Sequence, residues 1–191
     1  MTSIIFSFVL AVINITYASA QIPSLGKCPP VEVVQHFNVE KYLGKWYEQE
    51  KYPTIFEIGG KCVTAEYSAN PNGTVKVFNK QINILTGNPS SIIGNARLDS
   101  DSGEAKLLVR FPSVPFQLDA PYWVLDTDYQ KYSVVWSCFE LGPFSARVVW
   151  ILTRDRQPSR DIMEKAYGVL KRQNVSKAFL MKNDQKDCPA E

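Results

Sequence analysis

Between Lys45 and Arg154 the chain breaks into eight short runs of β-type residues divided by clusters of turn formers. The runs are KWYEQEKY (45–52), CVTAEYSA (62–69), TVKVFNKQI (74–82), SIIGNARL (91–98), AKLLVRF (105–111), YWVLDT (122–127), YSVVWSC (132–138) and ARVVWILTR (146–154). Short strands at this spacing belong to an all-β sandwich or barrel. The turns NPNG (70–73), DSDSG (99–103) and DTDYQK (126–131) carry the chemistry of tight connections between neighbours, so the strands follow one another as a meander. An open meander leaves two unpaired edges. Closure removes them, and eight strands enclose a space about wide enough for one small ligand. The expected fold is all-β, an eight-stranded up-and-down antiparallel barrel.

One helix follows the strands. SRDIMEKAYGVLKRQN (159–174) places Ser159 as an N-cap after Pro158, and Ile162, Ala166, Val169 and Leu170 fall on one face at helical spacing. That face is expected to pack on the outside of the barrel. KAFLMK (177–182) reads as an additional edge strand. Without an internal repeat or linker, residues 21–191 read as a single domain.

The first twenty residues carry no charged side chain and contain the apolar run IIFSFVLAVI, followed by ASA directly before Gln21. This is the pattern of a secretory signal peptide, 1–20, although its start has no Lys or Arg. The run is too short for a membrane core that needs roughly 20 apolar residues. The expected location is therefore secreted, extracellular.

An oxidising compartment makes the cysteines legible. Cys28, Cys62, Cys138 and Cys188 form no Cys-x-x-Cys pair and stand beside a single histidine, His36, so two disulfides are expected and a metal site is not. Spacing leaves all three connectivities open. Asn72 (NGT) and Asn174 (NVS) are glycosylation sequons, whereas NPS at Asn88 is blocked by its proline. A net charge of +2 on 191 residues gives no reason to expect a nucleic-acid partner. No phosphate loop, nucleophile elbow or metal-ligand cluster is visible, so neither catalytic residues nor a cofactor are expected.

Gly44-Lys45-Trp46, the Thr127-Asp128-Tyr129 triplet and Arg154 resemble, in order and spacing, the three signature regions of the lipocalin family. KYLGKWYE, APYWVL and NDQKDCP resemble its apolipoprotein D-like branch, which includes insect bilin-binding proteins, over nearly the whole of residues 21–191. The resemblance implies a cup-shaped carrier of a small hydrophobic ligand such as a fatty acid or sterol, with a bilin pigment as the alternative. It implies disulfides Cys28–Cys138 and Cys62–Cys188, and structural roles for Trp46 at the closed end and Arg154 across its ring. It also sets the strand register, placing Tyr67, Val77, Asn79, Gln81, Leu107, Val109, Phe111 and Trp150 toward the ligand.

Hairpin connections in a meander alternate between the two ends. Those after the second, fourth and sixth strands are tight and polar; the others carry Ile55, Phe56, Ile84, Leu85, Val114, Phe116, Leu141 and Phe144, the last two within FELGPF (139–144). The apolar group is expected to rim the mouth, as a lid over the ligand or as a surface resting on a membrane or lipoprotein particle, in the second case with an antioxidant role as a further alternative. Lys51, Lys61 and Lys80 are candidates for meeting a ligand carboxylate.

Overall fold

The computed structural model describes residues 22–54, 59–114 and 118–189. The signal peptide expected over 1–20 lies outside them.

All eight expected strands form. With an additional N-terminal strand they are β1 (Ile22–Leu25), β2 (Gly44–Lys51), β3 (Gly60–Ala69), β4 (Val75–Asn83), β5 (Pro89–Leu98), β6 (Lys106–Arg110), β7 (Ala120–Thr127), β8 (Tyr132–Leu141) and β9 (Phe144–Thr153). Each from β2 to β9 pairs antiparallel with the next, and β9 returns to β2 through Tyr47–Thr153 to Lys51–Trp150, which closes the barrel. β1 adds to β9 with Leu25 opposite Phe144.

Period-two alternation sorts the side chains. Inward positions include Trp46, Tyr67, Val77, Leu107, Val109, Val124, Val135 and Val148, all buried. Outward positions on β8 and β9 include Val134, Trp136, Val149 and Ile151, which are equally buried. The C-terminal helix Arg160–Arg172 explains this second core, because it packs against β7 and β8 and buries Ile162, Ala166, Val169 and Leu170. Ser159 occupies the N-cap position but makes no side-chain capping bond. Asp126, at the end of β7, instead holds Arg172 at the end of the helix, 2.8 Å away.

Two sequence expectations change. FELGPF is not a loop: β8 and β9 run through to Leu141 and Phe144, leaving Gly142-Pro143 as the turn, with Gly142 at φ 64 where a Cβ would be strained. KAFLMK is not one strand either. Lys177–Phe179 is a turn of 3-10 helix, and only Met181–Lys182, here β10, pairs with β2.

This C-terminal segment fills a seam in the wall. β2 pairs with β3 only from Gly44 to Tyr47, and above that point β3 shifts register between Lys61 and Thr64. Residues 183–185 bridge the separated strands: Asn183 N donates to Gln49 O, Cys62 N to Asp184 O, and Gln185 Nε2 to both Glu48 O and Val63 O at 2.9 and 2.8 Å. The Cys62–Cys188 disulfide pins the segment there, while Cys28–Cys138 ties the N-terminal segment to β8. Bridges spanning 110 and 126 residues stabilise by about 4–5 kcal/mol each through the entropy of the unfolded chain.

Gln185 is buried, so its loss strands two wall carbonyls. Gln185→Leu, close in volume, is expected to lower the unfolding free energy by about 2–4 kcal/mol in a guanidinium titration. An unchanged midpoint would mean that the seam is held by the disulfide alone.

Candidate ligand-binding site

The closed end is built from Trp46 and Arg154. The guanidinium lies 3.7 Å from the centre of the Trp46 ring. It also donates to the carbonyls of Lys41, Tyr42, Leu43, Lys45 and Tyr129. Gly44 sits at φ 92, and a Cβ there would lie 3.2 Å from Arg154 Nη1. The strand that begins at this glycine can therefore pass close to the arginine only without a side chain.

Above this base lies a chain of phenols that the sequence reading did not assemble. Tyr42, on the single helical turn before β2, shares its hydroxyl with Ser133 Oγ at 2.8 Å and with Tyr122 at 3.0 Å, and Tyr122 meets Tyr67 at 2.9 Å. The rings pack as well: Tyr42 lies tilted against Trp46 and stacks on Tyr67, and Tyr122 stacks on Trp150. Burial pushes the Tyr42 hydroxyl up to about 12, and Tyr122 well above the usual tyrosine value, so the network stays neutral. The signal for Tyr122 was its inward parity on β7. Tyr42 gave none, because it precedes the strand.

The expected lining residues occupy the wall above. Val77, Leu107 and Val109 are buried at inward positions, and Trp150 is partly buried. Phe111 lies across Gly94, where an added Cβ would come within 2.7 Å of its ring. Asn79 and Gln81 point inward from β4, paired with Ile92 and Ser90, and their Oδ1 and Oε1 are buried with no hydrogen-bond partner.

A bulge at Gln49 turns Glu48 and Lys51 to the interior side, opposite Leu152 and Trp150. They form an ion pair at 3.1 Å, and Asn183 Nδ2 donates to Glu48 Oε1. Lys51 thus has a carboxylate of its own. Lys80 lies over the outward Phe78 ring, 4.7 Å from its centre, and Lys61 pairs with the outward Ile82. Neither of these two faces the cavity.

At the mouth, Leu85 is 93% exposed on the β4–β5 turn, Leu118 stands exposed before β7, and Leu25, Leu141 and Phe144 form one exposed row. Val114 is half-buried. Ile55, Phe56 and Phe116 lie outside the described residues. Asn72 is exposed in the β3–β4 turn at the opposite end, its Oδ1 accepting from Thr74, and Asn174 is exposed just beyond the helix.

Residues 37–185 match the family model for the lipocalin-like domain. The chain belongs to the lipocalin family. This lipocalin is 40% identical over 173 residues to apolipoprotein D of Bos taurus, covering 90% of this chain and 89% of the relative. It is 37% identical over 148 residues to the Lazarillo protein of Schistocerca americana, covering 75% and 68%. Among solved structures it resembles insecticyanin of the tobacco hornworm Manduca sexta, with a TM-score of 0.77 and 26% identity over 86% of this chain and 89% of that one.

The raised phenols make the lipocalin's stability depend on alkaline pH. A hydroxyl that holds its proton more tightly in the fold contributes stability that is complete below pH ~10 and is lost as pH rises toward the folded value. Between pH 10 and 12 the unfolding free energy is expected to fall by about 1.4 kcal/mol per pH unit for each such tyrosine. Tyr42→Phe is expected to flatten this slope in urea titrations at stepped pH; an identical slope would place the loss elsewhere.

Proposed function

We propose that this lipocalin carries a small hydrophobic molecule in its barrel above Trp46, held by Tyr67, Val77, Asn79, Gln81, Leu107, Val109, Phe111 and Trp150. The observation that carries the reading is the pair of inward amides with unpaired oxygens beside the apolar side chains of Val77, Leu107, Val109 and Phe111, the composition that orients a small ligand. Two inward glycines support it. Gly60 and Gly94 leave space that the Gln81 amide and the Phe111 ring occupy, so the upper lumen is shaped by movable side chains. Membership of a family of binding and transport proteins supports binding rather than catalysis.

Fatty acids, sterols and similar lipids fit this description, and a bilin is the second reading, favoured by the polar groups within the wall. The two disulfides support release into an oxidising compartment after removal of a leader at Met1–Ala20. Asn72 and Asn174 would carry glycans.

A membrane or lipoprotein surface is a second partner of the open end. The supporting observation is that exposed aliphatic side chains from several separate segments, Leu25, Leu85, Leu118 and Leu141, stand with Phe144 at that end, whereas Asn72 stands at the other.

Native mass spectrometry of protein purified from its source without delipidation tests the carrier reading. A bound mass, with visible absorbance for a bilin and none for a lipid, is expected. An empty chain whose Trp fluorescence is unaffected by any apolar probe would remove the reading. For the surface contact, Leu85→Ser with Phe144→Ser is expected to reduce liposome partitioning at least about fivefold while ligand affinity holds; unchanged partitioning removes that partner.

A further inference from the structure

Four buried polar atoms among the described residues have no hydrogen-bond partner: Asn79 Oδ1, Gln81 Oε1, Trp123 Nε1 and Trp136 Nε1. The two indoles belong to the outer face of the barrel. Trp123 and Trp136 pair with each other across β7 and β8 at outward positions, and Lys106 covers the Trp123 ring. They have no access to the lumen. The two amide oxygens differ in that they share the inward face of one strand, two residues and therefore about 7 Å apart.

Their surroundings offer no substitute. Facing positions on β5 and β6 supply Ile92, Gly94 and Val109, none with a side-chain donor, and Ser90, whose hydroxyl is on an exposed residue at the strand's edge and makes no bond to the Gln81 oxygen. The phenols below are engaged with one another and with Ser133. The ammonium of Lys51 is held by Glu48. A carboxylate entering this space would leave the two amide oxygens unpaired, could accept only from the neutral amide N–H groups beside them, and would compete with Glu48 for Lys51.

We propose that the cargo is a neutral amphiphile whose hydrogen-bond donors, hydroxyl, amide or ring N–H, meet the Asn79 and Gln81 oxygens, and that an ionised fatty acid is disfavoured. The proposal rests on the carrier reading above and adds the chemical class of the ligand. A donor-bearing ligand satisfies two acceptors that otherwise stay buried and unpaired, whereas an isostere without the donor leaves them so; discrimination follows from that difference. Gly60 matters here, because an added Cβ would collide with Gln81 Oε1 and displace the amide.

The test uses three probes of one shape, all-trans-retinol, its methyl ether and retinoate, titrated against the full-length protein with quenching of Trp fluorescence as the readout. Retinol is expected to bind at least about tenfold more tightly than either of the others. In the Asn79→Leu, Gln81→Leu double variant the preference is expected to vanish through weaker retinol binding, with the ether bound as before. Gly60→Ala, which moves one amide without removing it, is expected to reduce the preference severalfold and keeps the proposal open to refutation if the double variant does not fold. Equal binding of retinol and ether would mean that trapped water satisfies the amides, and would overturn the proposal while leaving the carrier reading intact. Tighter binding of retinoate, or a preference that survives in the variants, would also overturn it alone. No quenching by any of the three would overturn the carrier reading and the proposal with it.

Discussion

The pairing of β2 with β9 is the constraint on which the remaining structure depends. It joins Tyr47 to Thr153 and Lys51 to Trp150, strands separated by about a hundred residues, and converts a meander with two edges into a closed wall. Arg154 follows β9 directly, and its guanidinium binds the carbonyls of residues 41–43, which lead into β2, and of Lys45 within it. The base lock therefore fixes the relative position of the first and last barrel strands, and with it the phase in which every strand between them points its side chains. The cation–π contact with Trp46 contributes about 0.5–2 kcal/mol, but the carbonyl bonds are charge-assisted and more numerous. Geometry at the base sets which residues reach the lumen above.

The wall is continuous only because the chain ends are recruited to it. β2 and β3 separate above Tyr47, and no ladder could span them without a third segment. Asn183 and Gln185 supply side-chain amides where main-chain bonds are missing, and Asn183 also reaches Glu48 Oε1. The disulfide to Cys62 holds this segment in place at low entropic cost, since the unfolded chain has already lost the freedom of a loop 126 residues long. The ion pair on the interior side of β2 belongs to the same solution. A buried charge needs a partner, and the bulge at Gln49 lets Glu48 and Lys51 find one another across three positions.

Strand number, order and closure were legible in the sequence because they follow from local period-two patterning and from turn residues such as Asn70-Pro71-Asn72-Gly73. Inward positions on β4 and β6 were legible for the same reason once the register was set, and Val77, Asn79, Leu107 and Val109 stand where the resemblance put them. What escaped was non-local or out of phase. β1 has four residues and its partner begins at Phe144; β10 has two and its partner lies in β2. Neither carries enough pattern to be read without its neighbour. The Gln49 bulge breaks the alternation, so period two could not place Lys51 beside a carboxylate. Lys61 and Lys80 were near the mouth in sequence but lie on the outward parity. Tyr42 sits on a helical turn outside any strand, and its hydroxyl meets Tyr122 and Ser133 from 80 and 91 residues away.

The two ends of the barrel also differ in how their polar groups are satisfied, and this difference separates scaffold from site. At the base the Tyr42, Tyr67 and Tyr122 hydroxyls all have partners, and the rings pack against Trp46 and Trp150. Such a network is rigid because breaking any one bond leaves the others buried and unpaired. Higher up, inward positions hold glycines beside a flexible amide and a phenylalanine ring, and two amide oxygens lack partners. A chain selected only for a dense core would replace such amides with apolar side chains, since a buried unpaired acceptor costs about 1–3 kcal/mol. The base therefore provides the stability that allows the upper wall to keep acceptors unpaired, and the position of those acceptors is set, through the phase of the strands, by an arginine at the opposite end.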